Sequence, residues 1–180
     1  MIKSALKLAA IGLALTMSFV PLSAQSKTAG TMAADPADVA TVDSIVAAVY
    51  ASISGPKGQR RDWDRFRSLF FKDARLIPSG ANTPAGATSL TVDAYIKRAD
   101  QFFFDNGFFE REIGRAQHAY GNIVQVFSTY DSKRTLEDAE PFARGINSIQ
   151  LLKHSDRWWV MNIFWQGETP DYPIPQEYLN

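Results

Sequence analysis

The stretch from Phe142 to Glu168, FARGINSIQLLKHSDRWWVMNIFWQGE, constrains this chain more than any other. It reads as two long strands joined by a polar turn, His154-Ser155-Asp156-Arg157. Ile146, Ile149, Leu151 and Leu152 stud the first strand, and four aromatics crowd Trp158 to Trp165 in the second. Successive side chains of a strand point to opposite faces, so a hairpin this apolar must bury at least one face against another layer.

Candidates for that layer come earlier in the chain. Asp35 suits a helix cap, Pro36 the first helical position, and Asp38 the positive helix end. Val39, Val42, Ile45, Val46, Val49 and Ile53 then recur at spacings of three and four, which predicts one helix ending at Ser54-Gly55-Pro56. Asp62 caps a second helix carrying Trp63, Phe66, Leu69 and Phe70, and a short strand follows over 74–78. The small residues of 79–89 predict a loop. Thr91 caps a third helix with Tyr95, Ile96, Ala99, Phe102 and Phe103 on one face, stopped at Asn106-Gly107. Strands over 109–119 and 123–131 precede the terminal hairpin. This order predicts an α+β domain, a curved antiparallel sheet wrapped around three N-terminal helices.

Residues 1–24 read as a signal peptide: Lys3 and Lys7, an apolar run from Leu8 to Val20, then Pro21 and a cleavage site near Ala24. That run falls short of the roughly 20 residues a spanning helix needs. The expectation is a periplasmic or secreted protein with no membrane attachment after cleavage. A disordered leader (25–35), one domain (36–168) and an extended surface tail (169–180) complete the organisation. With no cysteine, disulfides and thiolate metal sites are excluded. The net charge is zero and the basic residues are scattered, which argues against a nucleic-acid partner.

Three segments carry a resemblance: DWDRFRSLFFKDARLIPSG (62–80), YGNIVQVFSTYDS (120–132) and RGINSIQLLKHSDRWWVMNIFWQGE (144–168). Over roughly residues 36 to 168 the chain resembles the nuclear transport factor 2-like superfamily, which includes SnoaL-like cyclases, ketosteroid isomerases and scytalone dehydratases. The resemblance implies a cone-shaped α+β barrel with an open pocket, commonly dimeric, on a fold that hosts many unrelated activities.

No complete catalytic motif stands in the sequence. The two histidines, His118 and His154, lack metal-ligand spacing, and no nucleophile elbow or phosphate loop is present, so neither metal nor cofactor is expected. Acid–base chemistry of the kind the resemblance suggests needs a carboxylate or histidine with a shifted pKa and a donor such as tyrosine. Strand alternation, taken without bulges, puts Tyr130, Asn147, Asn162 and Arg115 into the cavity and turns Glu110, Glu112 and His118 away from it. Helix-borne Asp64, Asp73 or Asp100 could then supply an acid, and a bulge near Gly114 would reverse Glu112 and His118. The leading expectation is therefore a binder of a small apolar or polar-aromatic ligand, contacted by Tyr130, Asn147, Asn162, Arg115, Trp63 and Tyr95. The alternatives are a cofactor-free isomerase, dehydratase or cyclase, and a dimeric accessory module. Trp159, Met161, Ile163 and Trp165 are assigned to one face, where they suggest a homodimer through the sheet, with a pocket wall as the alternative.

Overall fold

Thr41 divides the first predicted helix in two. The computed structural model describes residues 33–80 and 83–179, so the expected signal peptide and most of the leader lie outside the described residues. Within them, α1 (Pro36–Val39) stops after one turn and α2 (Val42–Ile53) restarts behind a capping box. Thr41 Oγ1 accepts from the Ser44 amide and Ser44 Oγ from the Thr41 amide, both at 3.0 Å. Reciprocal capping satisfies two orphan amides, so it competes well with continuing the helix. Next come α3 (Trp63–Ser68), β1 (Phe70–Ser79), the short β2 (Leu90–Thr91) and α4 (Val92–Asn106), whose cap is Thr91. The chain then forms β3 (Phe109–Tyr120), β4 (Ile123–Lys133), β5 (Ala143–His154) and β6 (Arg157–Gly167).

The strands make one curved, open sheet in the order β2-β1-β6-β5-β4-β3. Every junction is antiparallel except β1 against β6, which is parallel. The two long hairpins close through two-residue turns. In the second, His154 pairs with Arg157, and Ser155 and Asp156 both take left-handed conformations (φ 52° and 61°). Paired left-handed residues match the twist of the flanking strands. The inner sheet face packs Val126, Ile149, Leu151 and Val160 against Ile45, Val46 and Val49 of α2. This is the α+β cone expected from the sequence.

Two bulges decide which side chains enter the cone. In β3, Glu112 pairs with Tyr130 and Gly114 with Thr129, leaving Ile113 unopposed. In β6, Val160 pairs with Leu151 and Asn162 with Gln150, leaving Met161 unopposed. One extra residue reverses the alternation on one side of it. Upstream of the first bulge, Glu110 and Glu112 turn inward with Ser132 and Tyr130. Downstream, Arg115 stays inward opposite Ser128, and His118 stays outward opposite Gln125. Beyond the second bulge, Ile163 and Trp165 turn inward while Asn162 and Phe164 turn outward. Burial agrees, with Ile163 5% exposed and Phe164 44%. The single-face set Trp159, Met161, Ile163 and Trp165 is therefore corrected, because two of its members belong to the interior.

The tail runs along the outer sheet face and ends in a 3₁₀ turn, Gln176–Tyr178. Thr129 Oγ1 donates to Tyr178 O at 2.5 Å, and the Tyr178 ring packs on Phe127. Its backbone crosses directly over Gly114, where a Cβ would run into Tyr178 O. Gly114→Ala is therefore expected to lift the tail off the sheet. Proteolytic cleavage within 169–179 should become faster than in wild type, and unchanged cleavage would contradict this seating.

Candidate functional site

Between the inner sheet face, α2 and α4 lies a cavity of about 510 Å³. Its walls are mostly apolar, with Phe66, Leu76, Phe103, Phe108, Ile163 and Trp165 among them. The polar side chains reaching it are few: Glu110, Tyr95, Tyr130, Ser132, Asn147 and Arg98. An apolar pocket of a few hundred Å³ with a handful of polar groups is the usual form of a small-molecule site.

Glu110 gets there through Phe108. Gly107, left-handed at φ 72°, ends α4, and Phe108 packs into the core at the start of the strand. Alternation by two then carries Glu110 to the same side. Its carboxylate opens onto the cavity, where Ser132 Oγ donates to Oε2 at 2.8 Å and Asn147 Nδ2 reaches Oε1 at 3.4 Å. No cation contacts it among the described residues. Burial pushes its pKa up to about 7, only partly opposed by the Ser132 and Asn147 hydrogen bonds and reinforced by the charge of Asp131. Desolvation penalises the charged form of a carboxyl, and an unpaired one yields most.

Glu112, two residues on, is bound up in structure. Arg115 donates to both of its oxygens, at 2.9 and 2.7 Å, and also to Asp43 at 2.5 Å. Ser128 Oγ donates to Glu112 Oε1 at 2.6 Å. Ser128 has a single proton, so the 2.6 Å contact with Tyr50 must be donated by the tyrosine, which in turn accepts from Asn147 at 3.1 Å. The two glutamates thus share a face but not a role. Glu112 anchors a polar chain from sheet to α2, and Glu110 faces the cavity without a countercharge.

Tyr95 comes from α4 and Tyr130 from β4, and neither hydroxyl has a hydrogen-bond partner among the described residues. Burial, then the charge of Glu110, raises the pKa of both, which keeps them protonated donors. Tyr130 lies across from Gly145, and a Cβ at Gly145 would run into the backbone oxygen of Gln166 and meet the Tyr130 hydroxyl at 2.6 Å. Gly145→Ala is expected to displace the phenol or the strand and to cost about 1–3 kcal/mol, read as a lowered melting temperature. An unchanged melting temperature would show that both the ring and the neighbouring strand have room to move.

Of the six side chains predicted to contact a ligand, Tyr130, Asn147 and Tyr95 line the cavity. Asn162 is corrected: the Met161 bulge puts it on the outer face. Trp63 stands behind the wall, stacked on Phe103 at 6.1 Å and donating its indole N–H to Asp100 at 2.7 Å. Arg115 lies in a neighbouring, more open cleft with Glu112 and Asp43, which Glu110 also borders. The helix-borne acids do not reach the cavity either. Asp64 pairs with Arg67, Asp100 with Arg60, and Asp73 sits exposed in a left-handed kink of β1. Glu110 was missed because a single unopposed residue reversed the parity. The available signal was Phe108, too large and apolar to face water, two positions before it.

No family model matches the sequence, and no curated protein does. Solved structures match at the level of the fold. A candidate calcium/calmodulin-dependent protein kinase type II association domain from Thiobacillus denitrificans superposes with a TM-score of 0.56 at 11% identity, over 72% of this chain and 96% of its own. A candidate dehydratase of the nuclear transport factor 2-like family from Streptomyces avermitilis gives 0.54 at 11% identity, over 73% and 96%. A protein of cystatin-like fold from Nostoc punctiforme gives 0.55 at 11%, over 72% and 90%. The chain has the nuclear transport factor 2-like fold.

Proposed function

We propose that this protein is a cofactor-free enzyme of the isomerase, dehydratase or cyclase type, acting by proton transfer on a small, largely apolar carbonyl compound. One observation carries the reading: a glutamate without a countercharge, its pKa near neutrality, at the wall of an apolar cavity beside two unpaired tyrosine hydroxyls. It displaces the simple binder expected from the sequence, because that expectation rested on a cavity without an acid. The fold hosts many activities, so the support comes from the site.

In this reading Glu110 takes a proton from the carbon next to the carbonyl. The C–H electron pair becomes a C=C bond as the carbonyl electrons move onto oxygen. Tyr95 and Tyr130 stabilise that oxyanion by hydrogen bonds. The proton then returns to a different carbon, which isomerises the substrate, or goes to a β-hydroxyl that leaves as water. A pKa near 7 suits a base that must both take and return a proton at neutral pH. Export to the periplasm or the medium, and pairing of two copies through the outer sheet face, belong to the same proposal. They rest on the leader sequence and on the outward Trp159 and Phe164.

Deuterium incorporation at the α-carbons of cyclohexanone in heavy water tests the proton transfer directly. Wild type should exceed the buffer rate, and Tyr130→Phe should lower the excess roughly 10²-fold, the usual effect of losing one oxyanion donor. A wild-type rate equal to buffer for this ketone and for a β,γ-unsaturated cyclic ketone would remove the reading.

A further inference from the structure

Arg98 is the one arginine in the chain without a hydrogen bond, ion pair or ring contact among the described residues. It lies on the outer part of α4, exposed, and it lines the cavity. Its helix supplies no neutralising neighbour: the residues three and four positions away are Ala94, Tyr95, Gln101 and Phe102. A carboxylate at such a spacing would pair with an arginine on a helix surface. Here the neighbours are an alanine, an amide and two cavity-lining aromatics.

The surroundings strengthen the local positive charge. The guanidinium of Arg134 lies 4.7 Å over the Phe102 ring and 3.9 Å over the Phe142 ring, and both rings line the same cavity and are exposed. The cavity therefore has an electrical direction. The Arg134 guanidinium stands over its exposed aromatic edge, exposed Arg98 lines it from α4, and the carboxyl of Glu110 stands with buried Ser132 and Asn147. A ligand carrying an anion would be repelled by Glu110 once that group is ionised, and would be drawn to Arg98.

We infer that the cavity takes anionic amphiphiles, molecules with one carboxylate held at Arg98 and an apolar body inside. Arg98 is the specificity-determining residue that sets their orientation. The inference shares with the proposed function the assignment of the cavity as the ligand site, and it does not depend on proton transfer. Joined to that function, it places the reacting carbonyl at the end of the substrate remote from its carboxylate.

Calorimetric titration of the protein with decanoate and with decanol, at low salt and slightly alkaline pH, tests this. Decanoate is expected to bind about tenfold more tightly than decanol, as for a charge-assisted hydrogen bond. Arg98→Gln should erase that difference while leaving decanol unchanged, and Arg98→Lys should keep part of it. Arg98 is exposed on a helix, so neither variant threatens the fold. Equal affinities for the two probes in wild type, or a difference that survives Arg98→Gln, would overturn the role of Arg98 and leave the catalytic reading untouched. Absence of binding by either probe would overturn the inference at the level of the cavity. Binding as inferred, without any deuterium exchange, would retain it while the catalytic reading fails.

Discussion

Glu110→Gln is expected to stabilise the protein above neutral pH while it removes the proton transfer. The folded-state pKa of Glu110, about 7, lies above its ordinary value. Between those two values the folded protein holds a proton that the unfolded chain has released. The stability this group contributes is therefore full below the ordinary value and is lost as pH rises through about 7. Glutamine cannot ionise, so the variant escapes the loss and still presents an oxygen to Asn147. Near pH ~4 the two proteins should melt together. At pH ~8 the variant should gain on the order of 3 kcal/mol, or roughly 6–12 °C in melting temperature. Deuterium exchange into cyclohexanone should fall by roughly 10²–10⁴-fold, the range for loss of a general base. The pairing of the two results is the test. A variant less stable at pH ~8, or equally shifted at both pH values, would mean that Glu110 is not held against its charge.

Arg61 governs a second large effect, on the scaffold. It is 7% exposed, and its guanidinium bonds only backbone carbonyls: Ile53 O at 2.8 Å, Gly55 O and Gln59 O at 2.5 Å, Phe103 O at 3.3 Å and Pro56 O at 3.4 Å. Ile53 ends α2 and Phe103 lies in the last turn of α4, so one cation satisfies carbonyls at the negative ends of both helices. Its guanidinium also lies 5.8 Å from the centre of the Phe103 ring, which lines the cavity. Arg61→Ala strands these carbonyls in the interior and should cost at least about 3 kcal/mol. That corresponds to a melting temperature lower by roughly 6–12 °C. Arg61→Lys should recover little, because a single ammonium cannot reproduce the planar fork. A melting temperature within a degree or two of wild type would show that water or rearranged backbone replaces the guanidinium. The sequence offered no hint of this role, since Arg60 and Arg61 are neighbours of like type. Arg60 is exposed and pairs with Asp100.

Local chemistry was enough to place most elements. The third predicted helix begins at its Thr91 cap and stops at Asn106-Gly107 as the sequence indicates. The terminal hairpin turns at Ser155-Asp156 within the polar segment that marked it. Caps, turns and apolar periodicity act over a few residues, so they can be read from a few residues. They sufficed for the α+β class, for the sheet wrapped on helices, and for Tyr130, Asn147 and Tyr95 as cavity side chains. The break at Thr41 was legible in principle, because Thr41 and Ser44 stand at capping spacing, but the uninterrupted apolar stripe masked it.

Tertiary structure alone decided which carboxylate meets the cavity. That outcome hangs on Ile113, and the place of Asn162 on Met161, two residues with no partner across the ladder. The sequence marked Gly114 as a place for a bulge without requiring one, and nothing marked Met161, since a bulge is settled by how the whole strand must bend to cover the core. Its consequence is nonetheless discrete. Because strand alternation has a period of two, one unopposed residue in each strand, Ile113 in β3 and Met161 in β6, sends Glu110 inward and Asn162 outward with no intermediate arrangement. The sequence by itself determined a sheet, its helical cover and an apolar interior. Packing of that sheet against the helices determined that the interior would hold an acid.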